Sequence, residues 1–187
     1  MGRGALQVRG ARRGGRQRVL DGADQRGDPG QAPGPRAGRS GVAALVASCL
    51  AEWNAGVVYL PGTADLIARL AGRFRLAIVS NTHKADLVHE HLGALGIAAH
   101  FAAVITSVEV GQRKPHPAMY AAALDRLGAT PSSSVFVGDS YAADYSGPAG
   151  VGITSFLIDP AARHDVPAAR RLRSLSELPQ RLGLTSA

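Results

Sequence analysis

From about residue 40 onward, apolar and polar positions alternate between two periods. Ser40 is placed to cap a helix over Val42–Ala55, in which Ala43, Leu45, Val46, Cys49, Leu50 and Trp53 recur at roughly helical spacing. Pro61-Gly62 breaks that pattern, and Thr63 is placed to cap a second helix over Ala64–Ala71. Leu76–Val79 is a short apolar run ending in the polar triplet Ser80-Asn81-Thr82, the signature of a buried strand with a polar tip. The spacing then predicts a helix over Lys84–Leu95, a strand over Ala102–Thr106, a helix over Pro117–Leu127 and strands over Val135–Val137 and Ile153–Ile158. A short closing helix is expected over Leu175–Leu182. Strands and helices alternating through short loops predict an α/β, doubly wound, mostly parallel sheet with helices on both faces. In such sheets ligands bind beyond the carboxyl ends of the strands, so the polar residues just after each strand carry the most information.

The first forty residues have a different texture. They hold ten Gly, three Pro, nine Arg and three Asp, a net charge of +6, and no apolar run longer than two residues. Such a segment buries too little surface to offset its chain entropy, so residues 1–40 are expected to be disordered. Three readings of it stay open. It is a passive tail, an arginine-rich arm for RNA or acidic lipid, or the out-of-frame or mis-started product of GC-rich DNA, which encodes Arg, Gly, Ala and Pro. The arm reading is weakened by the lack of interleaved aromatics.

Charge changes meaning once the chain is divided. The whole chain carries 21 Lys+Arg against 14 Asp+Glu, net +7 and a pI near 10.5. Residues 41–187 carry 12 basic and 11 acidic residues, so the remainder is near neutral and nucleic acid is not an expected partner. One cysteine, Cys49, excludes an internal disulfide framework. No apolar stretch is long enough for a membrane span, and no apolar region follows the basic start as in a secretory signal, so a cytoplasmic location is expected.

Four features converge at the expected strand ends. The first strand ends in Ser80-Asn81. After the second comes Gly111-Gln112-Arg113-Lys114-Pro115-His116-Pro117. The third ends in Gly138-Asp139-Ser140, with Asp144 five residues beyond Asp139, and Gly147–Gly152 leads into the fourth. Asp139 and Asp144 offer hard oxygen donors of the kind Mg²⁺ takes. Ser80 offers a hydroxyl, and Lys114 a point charge for phosphate or for a neighbouring carboxylate. Read without those companions, Ser80 is a helix cap, Lys114 a solvated charge, Asp139 a turn residue and Asp144 a helix-surface acid. The six histidines show no ligand spacing and are read as surface or packing residues, with His83, just after the Ser80-Asn81 tip, the one of interest. Arg170-Arg171-Leu172-Arg173 reads as a solvated basic patch, and Asp159 as a cap on the turn at Pro160.

These motifs resemble those of the haloacid dehalogenase-like (HAD) hydrolases, in particular the phosphoglycolate-phosphatase-like branch with a small helical cap. Ala77-Ile78-Val79-Ser80-Asn81 is similar to the second family motif, whose Ser or Thr binds the transferring phosphoryl group. The stretch Val110–Pro117 is similar to the third, whose lysine balances charge at nucleophile and phosphate, here Lys114. Val135–Asp144 is similar to the fourth, whose acidic pair holds Mg²⁺, here Asp139 and Asp144. Leu60-Pro61-Gly62 resembles the return from cap to core. The resemblance spans roughly residues 41–183. It implies a Rossmann-like core over residues 61–187, a cap remnant over 41–60, Mg²⁺ as cofactor, a small phosphorylated metabolite as ligand, and Ser80, Asn81 and Lys114 at the phosphate.

The first family motif, an apolar strand followed by Asp-x-Asp, has no counterpart, because the chain contains no Asp-x-Asp. Its first Asp would attack phosphorus and its second would act as general acid and base. The resemblance therefore implies a truncated or frame-disrupted phosphomonoesterase that keeps binding and loses most or all turnover. A catalytically dead phosphate or phospho-metabolite binding protein is the main alternative. A metal-independent haloacid dehalogenase, also dependent on the absent Asp, is a further one. Loss of the central strand is also expected to leave its two neighbours with unpaired edges.

Overall fold

The computed structural model describes residues 59–184 and the backbone of Ala5–Gln7 in the 187-residue chain. The helix expected over Val42–Ala55 and the rest of residues 1–40 lie outside the described residues.

Among the described residues six strands form one parallel sheet: β1 (Ala5–Gln7), β2 (Arg75–Ser80), β3 (Phe101–Thr106), β4 (Ser134–Gly138), β5 (Thr154–Ile158) and β6 (Arg171–Leu172), in the order β3-β2-β1-β4-β5-β6. Helices α1 (Thr63–Ala71), α2 (Asp86–Ala94), α3 (Ser107–Val110), α4 (Pro117–Leu127), α5 (Gly147–Gly150) and α6 (Leu178–Arg181) connect or flank the strands. A π-helical turn spans Tyr141–Ser146.

The sheet separates two apolar layers. Ile67 and Leu70 of α1, Leu92 of α2 and Leu178 of α6 pack with Leu76, Ile78, Val137 and Phe156 on one side. Met119, Tyr120 and Ala123 of α4 pack with Val79, Ile105, Phe136 and Ile153 on the other. The alternation of Ile78 and Val79, and of Phe136 and Val137, between the two layers is the period-2 pattern of strands buried on both faces.

The elements expected between residues 63 and 158 recur with ends shifted by no more than two residues, and several local features differ. Thr63 does not cap α1 with its side chain. Gly62 occupies the N-cap in the left-handed region at φ 75°, while the Thr63 hydroxyl donates to Leu60 O at 2.7 Å. Leu175–Leu182 is not one helix but a 3₁₀ turn over Leu175–Glu177 followed by α6. Arg171-Leu172 is not part of a solvated basic patch. It forms β6, with Leu172 fully buried and Arg171 Nη2 donating to His164 O at 2.8 Å and Val166 O at 2.9 Å. Two residues are too short a strand for hydrophobic alternation to mark it.

The largest departure is at the centre of the sheet. Ala5–Gln7, inside the segment expected to be disordered, pairs with β2 through Ala5–Arg75, Leu6–Leu76 and Gln7–Ala77, and with β4 through Ala5–Ser134, Leu6–Val135 and Gln7–Phe136. The unpaired edges expected on β2 and β4 are therefore closed along this stretch. The physical reason is the demand of two parallel neighbours for backbone partners, which a three-residue segment meets without needing an apolar run.

Candidate active site

The register fixes the level of the site. Ser80 lies three residues beyond Ala77, and Asp139 three beyond Phe136, while Ala77 and Phe136 both pair with Gln7. The tips of β2 and β4 thus rise to the same height on either side of the line of β1. Ser80 is half-buried at the end of β2, and Asp139 is exposed just past the end of β4.

Lys114 is the centre of the arrangement. Its side chain is fully withdrawn from solvent, with Nζ donating to Val79 O at 2.7 Å and to Asp144 Oδ1 at 2.6 Å. The ammonium also sits 5.4 Å from the centroid of the Phe136 ring. The loop that delivers it is held by Asn81, whose Oδ1 accepts from Lys114 N at 2.8 Å and whose Nδ2 donates to Lys114 O at 3.0 Å. Asn81, expected at the phosphate, turns both amide atoms to the Lys114 backbone. The Lys114-Pro115 peptide is cis. Beyond it His116 caps α4, its Nδ1 accepting from Ala118 N at 3.2 Å, with Pro117 in the first turn.

Asp144 sits on the π-helical turn, fully buried. Its Oδ2 accepts from Ser140 N at 3.0 Å, so the carboxylate folds back over the end of β4. Gly138 makes that approach possible: a Cβ there would lie 2.5 Å from the Asp144 carboxylate. Gly147 plays a similar part on the far side of the turn, where a Cβ would come within 2.8 Å of Ala142 O and collide with the Tyr120 hydroxyl. Tyr120 is fully buried, packs edge-on against Phe136 and donates to Ala143 O at 2.8 Å. Burial, reinforced by the negative charge of Asp144, pushes the Tyr120 phenol well above its ordinary range.

Two contacts that the motifs did not reveal complete the frame. Thr82 N donates to Ser107 Oγ at 3.0 Å, and Ser107 Oγ donates to Thr82 O at 2.9 Å, which ties the loop after β2 to the first residue of α3. Thr106 caps α3 in a reciprocal box with Glu109. The Thr106-x-x-Glu109 spacing was the available sequence signal for this cap.

A family model for haloacid dehalogenase-like hydrolases matches residues 34–152, more than half of the chain. The chain belongs to the HAD-like hydrolases. It is 40% identical over 119 residues to haloacid dehalogenase-like hydrolase domain-containing protein 3 of Mus musculus, covering 60% of this chain and 47% of that one. The chain thus spans about half the length of the curated relatives it matches. A HAD phosphatase from Thermococcus onnurineus superposes with a TM-score of 0.63 at 28% identity, over 75% of this chain and 65% of the other. The HAD hydrolase YfnB from Bacillus subtilis, solved bound to magnesium, superposes with a TM-score of 0.61 at 25% identity, over 68% and 57%. The three motifs lie at the tips of β2 and β4 and in the Lys114 loop, at the carboxyl edge of the sheet, where open α/β folds bind ligands.

Whether this HAD-like site suits a divalent cation can be judged from its donors. Asp139 offers an exposed carboxylate just past β4, while Asp144 is buried with Oδ1 on Lys114 Nζ and Oδ2 on Ser140 N; Mg²⁺ commonly takes only one or two protein carboxylates, filling the rest of its octahedron with water and phosphate. No cluster of three or more His, Cys, Asp or Glu suited to a metal occurs among the described residues. Carboxylate oxygen is the donor type that Mg²⁺ takes, and Asp139 is the exposed member of the pair. No helix of the described residues is long and apolar enough to cross a membrane.

Proposed function

We propose that this chain carries the phosphate-binding half of a Mg²⁺-dependent phosphomonoesterase for a small phosphorylated metabolite, and that it binds without appreciable turnover. The observation that supports this reading is the Lys114 ammonium, buried between the tips of β2 and β4 and tied to Asp144. A fixed positive charge there favours an anion seated over the strand ends, with the Ser80 hydroxyl as donor. Asp139 and Asp144 would hold Mg²⁺, which supplies charge neutralisation of the phosphoryl oxygens. The phosphatase among the structural relatives, and the magnesium bound to another, agree with this chemistry.

Turnover is a separate matter. The residues after β1 read Val8-Arg9-Gly10-Ala11, and the first acid in the chain is Asp21. No carboxylate stands directly after the central strand to attack phosphorus, so this reading closes the covalent route and leaves a phosphate-ester binder.

The test pairs binding with release. Titration calorimetry of the full chain with inorganic phosphate in the presence of Mg²⁺ is expected to give saturable binding that is lost in Asp139→Asn. Incubation with p-nitrophenyl phosphate is expected to release nothing above buffer. Release that requires Mg²⁺ and disappears in Asp139→Asn would overturn the account of the missing nucleophile. Absence of both binding and release would overturn the phosphate reading altogether.

A further inference from the structure

A second donor-rich cavity lies at the other end of β5, away from the strand tips. β6 pairs only with Leu157 and Ile158, so among the described residues the Thr154–Phe156 half of this outer edge has no strand beside it. A cavity of about 280 Å³ opens there, lined by Tyr145, Ala149, Gly152, Ile153, Thr154, Ser155 and Arg170. Its polar side chains are the Tyr145 phenol, the Thr154 hydroxyl and the Arg170 guanidinium, with the Ser155 hydroxyl donating to Ile153 O, and no carboxylate lines it among the described residues.

Arg170 is held for this position. Its guanidinium lies 5.2 Å from the centroid of the Phe156 ring, and the 3₁₀ turn over Ala168–Arg170 leads directly into β6. The ion pairs of the described residues do not include Arg170. The neighbouring Arg171, by contrast, is spent on the carbonyls of His164 and Val166 and faces Asp159 at 4.0 Å. A guanidinium fixed over an aromatic face, with no acid paired to it among the described residues and with a phenol and a hydroxyl lining the same cavity, is the donor set of an oxyanion site.

From this we infer that the cavity at the lower edge of β5 binds the oxyanion of a small molecule, a phosphate or a carboxylate, with the Arg170 fork as anchor and Tyr145 and Thr154 as supporting donors. The site is separate from Ser80, Lys114 and Asp139, since Thr154 begins the strand whose opposite end lies level with them. The inference stands whether or not the phosphatase reading holds.

The experiment is an amide-resolved NMR titration of the full chain, one arm with inorganic phosphate and one with succinate. Saturable shifts at the Gly152, Thr154 and Ser155 amides are expected in at least one arm. Response to phosphate alone assigns a phosphate-bearing ligand, and response to succinate alone a carboxylate. The shifts are expected to persist in Ser80→Ala and to weaken at least about tenfold in affinity in Arg170→Gln, the loss of one charge-assisted contact. Arg170→Lys and Tyr145→Phe give intermediate weakening and serve if Arg170→Gln does not fold. No saturable shift at these amides in either arm, or unchanged affinity across the Arg170 and Tyr145 variants, would overturn the inference.

Discussion

Lys114 Nζ lies 2.6 Å from Asp144 Oδ1, and neither side chain reaches solvent. Two charges removed from water this completely depend on each other, because the desolvation cost of each is offset only by its partner and by the hydrogen bonds around it. Val79 O and Ser140 N supply those further bonds. Lys114→Met or Asp144→Leu alone is expected to destabilise the fold by about 3–5 kcal/mol, since each leaves one buried charge uncompensated. The double variant is expected to be milder than either single. Urea denaturation of the three proteins checks this. A double variant that loses the sum of the two singles would show that the pair is not coupled.

The glycines around this pair give a second prediction. Gly138→Ala drives a methyl into the Asp144 carboxylate, and Gly147→Ala drives one into the Tyr120 hydroxyl and Ala142 O. Each is expected to cost about 1–3 kcal/mol by overpacking, and Gly138→Ala also to weaken Mg²⁺-dependent phosphate binding. Gly93, within α2 and with nothing within 4 Å of where a methyl would sit, is the internal control. Gly93→Ala is expected to raise stability by about 0.5–1 kcal/mol. Thermal melts of the three variants should fall on opposite sides of the parent.

Asp159 makes the fold sensitive to acid. The backbone N–H of Arg163 holds its carboxyl below the ordinary value of 3.8, opposed in part by burial and helped by the His164 N–H and by the charges of His164 and Arg171. A carboxyl depressed on folding contributes stability that is fully present above the unfolded value and is lost as pH falls through the lower folded one. Asp159→Asn is therefore expected to be less stable than the parent near neutrality and to flatten the stability profile below about pH 4. An unchanged acid limb in the variant would show that other carboxylates set it.

Tyr120 acts at the alkaline end with the opposite sign. Its phenol is raised on folding, so above about pH 10 the unfolded chain loses a proton that the native state retains, and stability declines. Tyr120→Phe removes that decline but also the hydrogen bond to Ala143 O, which costs about 1 kcal/mol at neutral pH. Denaturation midpoints at neutral and alkaline pH in both proteins separate the two effects.

Much of the fold was legible because its strands are buried on both faces and end in polar residues. Leu76–Val79 and Val135–Val137 announce themselves as short apolar runs, and Ser80, Asp139 and Gly138 mark their tips. What was not legible depends on contacts between distant residues. Nothing local says that Asn81 serves the Lys114 backbone, since its amide suits a ligand equally well. The π-helical turn that carries Asp144 inward has no periodicity of its own. β1 and β6 are three and two residues long and are defined by what they pair with, not by their own apolar content.

That dependence makes β1 the most demanding place to test. Its three residues pair on both sides, with Leu6 at the middle of both registers. Proline at a central strand position removes a ladder donor and strains the flanking pairs. Because Ala5–Gln7 pairs on both sides, Leu6→Pro is expected to destabilise the chain by about 1–3 kcal/mol, the cost of leaving a ladder group without its partner. Deleting residues 1–10 should do more, because it uncovers the edges of β2 and β4 and invites pairing with another chain. Urea melts measure the first effect, and size-exclusion elution the second. A monomeric deletion variant with parental stability would mean that β2 and β4 hold together without the strand between them, and that the tips carrying Ser80 and Asp139 are set at their separation by the helices alone.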